Sequence, residues 1–513
     1  MRIHLARCVS FLLLVGCADA PVASPVSLSP SLEPTQSVTV TAAPATNTPK
    51  PSNSGATQLF VSHTFHIAFR LPAELPLLIE NIPDYQLVLN KDDLLAKLPV
   101  EEPFRDGDEF IQIAAVPDPN RTLEQVCERE AAGDWTDQAY GTDPRIDPTD
   151  VKGQAGCLIR EDEDAATGRA ALVVEYPEPV KNQWLEMTFS YVIVRANSLR
   201  IDGIAETVQF EITPKEYLDS ALTYIEQKSL FTENVDWQAF RAGIHNDNMT
   251  IEDAHILIKS ALRQTVDYHA YLFDPYDVEQ ITTQGEDSPG VDLPTGELME
   301  ERIGYINLPG MMGNAELRNH YADAAQGLIR QIDQNHPCGW IVDVRENTGG
   351  SFVPMIVGIG PILGGGNALA FANQHRAIWF SYQNGEMIAN GDTIVQAIEL
   401  NQEPYELQNP MPPVAVLTSQ LTRSAGEMIT VAFRGRPDTQ SFGKSTGGFT
   451  TGIEILELFD GAFLTVSFSW FLDRNEESYK AVPLKPDEPT SLKDALPAAT
   501  KWLLQRPACS AGP

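Results

Sequence analysis

Two short runs in the carboxyl-terminal half, GWIVDV at 339–344 and VAVLTS at 414–419, are apolar almost throughout and stop at polar or glycine-rich turns. Runs of this length and character read as strands buried inside a core. Loops at strand ends are where a rigid scaffold commonly carries its chemistry, so the residues that follow each run matter most. The first run continues into RENTGGS, where Gly349 and Gly350 mark a tight turn. The second continues through QLTR to Ser424, which opens the helical run AGEMITVAF. That placement sets the Ser424 hydroxyl at a helix N-terminus, where backbone N–H groups are unpaired and can hold an oxyanion. Taken alone, Ser424 reads as a structural N-cap, the commoner role of serine at a helix start.

The chain of 513 residues is too long for one ordinary core, and roughly 150 residues per domain suggest about three units. Its 36 Lys and Arg face 70 Asp and Glu, a formal net charge of −34 that repels phosphate backbones and anionic headgroups. Nucleic acid is therefore not expected as a partner. With 43% hydrophobic and 21% charged residues the chain is globular in composition.

The first sixteen residues read as an export signal: Arg2 and Arg7 precede an apolar stretch too short to span a bilayer. Leu14, Val15, Gly16 and Cys17 resemble the lipobox of bacterial lipoproteins, which implies that Cys17 is lipidated and begins the mature chain. Residues 17–57 are rich in Pro, Ser, Thr and Ala and read as a disordered linker. Export permits disulfides. Cys127, Cys157, Cys338 and Cys509 remain once Cys8 and Cys17 are set aside. The short loop favours Cys127 with Cys157, leaving Cys338 with Cys509, although four cysteines allow three connectivities. No His/Cys cluster suggests zinc, and the acidic stretches at 101–109 and 161–164 lack calcium-loop spacing, so no metal is expected.

From 58 to 210, alternating runs such as FHIAFRL, FIQIAAV, AALVVEY and FSYVIV, separated by Pro, Asp and Gly, read as strands of a β-rich accessory domain. Residues 211–300 turn helical. Tyr217, Ala221, Tyr224 and Ile225 form one apolar stripe, and Ile256, Ile258, Leu262 and Val266 another. The second helix runs into DYHAYLFDP, which places His269 at or just beyond its end.

Together, GYINLP, IVDVRENTGG, LTRSAGE and SFGKSTGGFTTG resemble, in order, the motifs of the tail-specific or C-terminal processing serine peptidases, over about 216–509. They are more similar to the branch around the tricorn core than to the lysine-dependent enzymes. The resemblance implies an α/β catalytic core of the ClpP/crotonase-like type at 301–513, with Ser424 as nucleophile. Ala425, with Gly349 or Gly350, would supply the oxyanion hole. Where lysine-dependent members carry their base this chain has Phe449, which accepts no proton, and Lys444 aligns with a different position of the FG turn. The tricorn-like branch takes its base from an upstream histidine, a place filled here by His269, whose resting pKa suits a general base. The supporting acid is expected just before Pro486–Asp487, with Glu477 and Glu476 leading and Asp473 next; Glu427 is expected to support the turn. Some 35 residues between His269 and Gly304 leave no room for a PDZ domain.

These readings imply a lipid-anchored, extracytoplasmic serine endopeptidase of the bacterial cell membrane. Its substrates would be peptides or unfolded protein segments, and it would need no cofactor. The alternative is a non-catalytic binding protein for a hydrophobic ligand or peptide on the same fold, because the interphotoreceptor retinoid-binding proteins resemble this family without being proteases.

Overall fold

The computed structural model describes residues 56–510 except 74–87, 91–93, 98–110, 118, 136–138, 162–167, 247, 286–287, 289, 375, 391 and 394–397. The export signal, Cys17, nearly all of the linker, and the acidic stretches at 101–109 and 162–164 lie outside the described residues.

The amino-terminal part is a seven-stranded antiparallel sheet. Its spine is the long pair Arg169–Asn182 and Met187–Asn197, broken by a register shift between Glu175 and Val180. Successive strand residues face opposite ways. Thus Ala170, Leu172 and Val174 pack into one cluster with the hairpin Thr57–Ser62/Ile67–Pro72, while Ala171 and Val173 join another. The helix Leu123–Ala132 covers that second face, and a disulfide joins its Cys127 to Cys157 of the sheet. Burial on both faces explains why the stretches Ala170–Val174 and Val192–Val194 are continuously apolar rather than alternating.

The helix Pro214–Lys228 starts at a Thr213/Glu216 capping box with Pro214 in its first turn, and buries Tyr217, Ala221, Tyr224 and Ile225 as expected. The helix Ile251–Thr265 corrects the expected stripe. It buries Ala254, Ile258, Ala261, Leu262 and Thr265, whereas Ile256 is 65% exposed. Ile256 sits two residues from Ile258, about 200° around the helix, and cannot share its face. Val266 ends the helix in the left-handed conformation with φ 59° and is itself exposed, turning the chain toward His269.

The carboxyl-terminal part holds two sheets. In the first, Thr295–Met299, Ile303–Asn307, Gly339–Asp343, Val414–Thr418, Thr439–Gly443 and Glu488–Pro489 lie side by side in that order. All neighbours are parallel except the first pair. This sheet therefore begins at Thr295, a few residues before the expected boundary at 301. One face packs against the helices Ala315–Asp333, Phe352–Leu363 and Ala425–Phe433, the other against Leu492–Leu504. Covering both faces is what makes Gly339–Asp343 and Val414–Thr418 continuous apolar runs. A second disulfide, Cys338–Cys509, fastens the carboxyl-terminal end to the start of a central strand.

The second sheet is organised around Phe463–Leu472, which pairs with Thr451–Glu457, Asn367–Ala372 and Tyr271–Phe273. The amino-terminal sheet docks on it through the tip of its longest hairpin. Glu457 accepts hydrogen bonds from the amides of Gln183 (2.8 and 3.1 Å) and Trp184 (3.0 Å), and the Trp184 ring meets Phe463 edge-on. Among the described residues no helix is long and apolar enough to cross a membrane.

Candidate active site

Parallel strands end on the same edge of their sheet, so the loops after Ile303–Asn307, Gly339–Asp343 and Val414–Thr418 meet there. Fully buried Asn347 ties them together. Its Nδ2 donates to Leu308 O at 3.1 Å, its Oδ1 accepts from Gly349 N at 3.0 Å, and its carbonyl accepts from Arg423 N at 2.9 Å. Thr422 Oγ1 adds a bond to Val344 O at 2.7 Å. These contacts hold the residue before Ser424 against the glycine turn.

Ser424 has φ 49° and ψ −114°, a strained conformation for a residue with a side chain, and the helix Ala425–Phe433 begins immediately after it. Its backbone N–H donates to Glu427 Oε2 at 3.1 Å. The same carboxyl group accepts from Gly448 N at 2.8 Å, Phe449 N at 2.7 Å and the Thr446 hydroxyl. Burial pushes Glu427 up to about 7, against the lowering effect of those four donors. Glu427 thus fastens the strained turn to the segment 446–449, the supporting place expected of it.

The His269 Nε2 lies 2.9 Å from Ser424 Oγ, joining residues 155 positions apart. Burial lowers the imidazole pKa to about 4, so it is neutral, and able to accept a proton, at any higher pH. The Phe449 ring stands edge-on to it, and the Arg423 guanidinium lies over that ring, 5.4 Å from its centroid.

The other ring nitrogen, Nδ1, is 2.8 Å from Thr451 Oγ1. Thr451 Oγ1 lies 2.9 Å from Ser467 Oγ, which lies 3.1 Å from Asp267 Oδ1. Asp267 also accepts from His269 N at 3.0 Å and Ser467 N at 3.2 Å. Burial raises the Asp267 carboxyl pKa while these hydrogen bonds pull it down.

Gly349 has φ 115° and Gly350 φ 108°, conformations that glycine alone adopts without strain. A Cβ at Gly349 would stand 3.0 Å from Ser424 Cβ, so the turn abuts the hydroxyl-bearing residue. Gly349 N is already used by Asn347. The amides of Gly350 and Ala425 have no internal acceptor among the described residues. Of the two glycines, Gly350 is the one whose N–H stays available to an oxyanion.

The three expected acids lie elsewhere. Asp473 is buried and accepts from Asn475 N (2.8 Å), Glu477 N (3.1 Å) and the Tyr479 hydroxyl (2.8 Å). Glu476 is exposed at φ 65°, in the turn that Asp473 organises. Asp473 and Glu477 line a cavity with Arg434, Tyr479 and Asp487, and neither Ser424 nor His269 borders it. The atom that meets Nδ1 belongs to a hydroxyl, not to any of these carboxylates. Lys444 is exposed and engages Thr418 only through its backbone. Sequence reading assigned no role to Asn347, Thr451, Ser467 or Asp267. For Asp267 one signal existed, its spacing two residues before His269, which lets its carboxylate accept from the His269 amide in a local turn.

Residues 302–490 match the family model "Peptidase family S41". The chain is 24% identical over 301 residues to the nisin-resistance protein of Lactococcus lactis subsp. lactis, covering 57% of this chain and 87% of that one. It is 23% identical over 211 residues to the chloroplastic carboxyl-terminal-processing peptidase 2 of Arabidopsis thaliana, covering 41% and 36%. Among solved structures, a lipoprotein from Streptococcus agalactiae aligns with a TM-score of 0.48 and 24% identity, covering 57% of this chain and 96% of that one.

Proposed function

With a peptidase family S41 domain at 302–490 as the premise, we propose that this chain is a serine endopeptidase in which Ser424 is the nucleophile and His269 its general base. The observation that carries this reading is the 2.9 Å contact between His269 Nε2 and Ser424 Oγ. It is supported by the strained turn at Ser424 and by the two available amides beside it.

In this mechanism the imidazole takes the Ser424 proton as the hydroxyl oxygen attacks a peptide carbonyl. The Gly350 and Ala425 amides hold the resulting oxyanion, each donor worth about 3 kcal/mol in the transition state. The imidazolium returns its proton to the departing amine as the C–N bond breaks. A water molecule, deprotonated by the same imidazole, then cleaves the acyl-enzyme and restores Ser424.

Exposed apolar side chains flank the nucleophile: Tyr268 beside the base, Leu421 before Ser424, and Met312 against Gly350. That rim suits extended peptides and unfolded segments, which present apolar side chains that folded proteins bury. We place the protein outside the cytosol, held to the membrane by lipid on Cys17. The two disulfides support an oxidising location.

A serine-directed fluorophosphonate probe tests the reading. Wild-type protein is expected to label and to cleave an unfolded protein such as reduced casein, and Ser424→Ala to do neither. A wild-type chain that neither labels nor cleaves, yet binds an apolar peptide, sinks the peptidase and supports the binding protein. Release of a Cys17→Ala variant from the membrane fraction tests the anchor.

A further inference from the structure

We propose that Asp267 is a positioning residue that fixes the tautomer of His269 through a relay of two hydroxyls, Ser467 and Thr451. The inference rests on the proposed roles of Ser424 and His269 and identifies what sets the direction of their proton transfer.

Four contacts form an unbroken line: Ser424 Oγ to His269 Nε2 at 2.9 Å, Nδ1 to Thr451 Oγ1 at 2.8 Å, Thr451 Oγ1 to Ser467 Oγ at 2.9 Å, and Ser467 Oγ to Asp267 Oδ1 at 3.1 Å. Each hydroxyl has one proton to give, and a neutral imidazole has one N–H. Asp267 receives two main-chain N–H groups, one on each oxygen, which is the donor set of an ionised carboxylate. An ionised carboxylate only accepts, so Ser467 must donate to it. Thr451 must then donate to Ser467, and Nδ1–H to Thr451. Nε2 is left with its lone pair toward the Ser424 hydroxyl, the arrangement a general base requires.

The opposite direction is the idle one. If the far end of the line does not accept, Ser467 turns its proton to Thr451 and Thr451 turns its own to Nδ1, in competition with the Thr451 backbone, which also hydrogen-bonds the imidazole. Nε2 then carries the hydrogen and offers Ser424 a donor, which cannot take a proton. Thr451, Ser467 and Asp267 are all buried, so bulk water does not scramble the order. The strand pair that carries both hydroxyls shifts register between Gly452 and Ile453, and such bulges re-aim side chains next to sites.

The test is the full chain labelled with ¹⁵N-histidine, the His269 signals being assigned by their loss in His269→Gln. Wild type is expected in the Nδ1–H form. Ser467→Ala leaves the Nδ1–Thr451 contact and both backbone donors of Asp267 in place. It is expected to move His269 to the Nε2–H form and to lower kcat by about 10²–10⁴ with KM nearly unchanged, the range a misdirected general base loses. Thr451→Ser keeps the hydroxyl and is expected to keep both tautomer and kcat, whereas Thr451→Val loses kcat; this pair decides the matter if Ser467→Ala fails to fold. A wild-type tautomer and kcat within about twofold in Ser467→Ala, or equal activity of Thr451→Val and Thr451→Ser, overturns the relay. A tautomer change in a chain that hydrolyses no peptide keeps the relay and sinks the peptidase, so the two failures are distinct.

Discussion

The ring of Phe449 meets the imidazole of His269 edge-on, with centroids 5.4 Å apart and planes at 87°. Phe449 stands where the resemblance would put a lysine base, and here its ring walls the imidazole proposed to act instead. A wall of this kind excludes water and disfavours the charged imidazolium, in keeping with the lowering of His269 to about 4.

That lowering fixes the pH profile. In the proposed mechanism the neutral imidazole is the active form, and it predominates above its pKa. Accordingly kcat/KM is expected to stay level from neutrality to about pH 5, and to fall about tenfold per unit below 4. Phe449→Ala admits water and is expected to move this acid limb upward, toward the ordinary value of about 6.5. An acid limb that stays put in Phe449→Ala shows that the ring is not what shields the base.

Glu427→Gln places an amide NH₂ where one carboxyl oxygen accepts main-chain N–H groups, since Oε1 serves Gly448 and Oε2 serves Ser424 and Phe449. Two buried donors then face each other, and a loss of about 1–3 kcal/mol in unfolding free energy is expected, together with lower kcat. Glu427 also binds its proton more tightly in the folded chain, up to about 7, than when unfolded. Its contribution is full at acid pH and is lost as pH rises through 7, so the stability deficit of Glu427→Gln should narrow from pH 5 to 8. Denaturant titrations across that range check both statements.

At the glycine turn, Gly349→Ala sets a methyl 3.0 Å from Ser424 Cβ and 3.5 Å from its Oγ, at φ 115°. Activity is expected to fall at least about 10²-fold, the scale of losing one oxyanion donor, while the chain still folds. Gly350→Ala is more severe, because its methyl would lie 1.9 Å from Met311 O, and loss of soluble protein is expected. Expression yield and kcat, measured side by side, separate the two.

Replacing Cys338 and Cys509 by serine opens a covalent loop of 171 residues and frees the carboxyl-terminal end from a central strand. A stability loss of about 2–5 kcal/mol is expected, read as a lower Tm under non-reducing conditions. No fall in Tm would mean that the packing of Leu492–Leu504 holds the end without the bond.

What sequence could deliver follows from what leaves a pattern. Strands covered on both faces leave short runs that are apolar throughout and end at polar turns, so Gly339–Asp343, Val414–Thr418 and the buried helix Ala425–Phe433 after the second were legible. The meeting of Ser424 and His269 was legible only through family resemblance, because no local spacing links residues 155 apart. The third member was not legible. An acid near Pro486 was expected, yet Nδ1 faces Thr451, and a single threonine in a strand carries no chemical signature. Likewise Ile256 was expected on the buried stripe but faces solvent on the opposite side of the helix from Ile258, because Ala254, Ala261 and Thr265, small residues that do not stand out as apolar, complete the buried face.

The strand pair Thr451–Glu457/Phe463–Leu472 works as a common beam. One end sets the hydroxyls behind the imidazole, and the other grips the hairpin of the amino-terminal sheet through Glu457. Cutting away residues 58–210 would strip a buried carboxyl of its amide partners and bare Phe463 on the strand pair that carries Thr451 and Ser467. Loss of the amino-terminal sheet is thus expected to be felt at the imidazole, through the strand pair that both of them share.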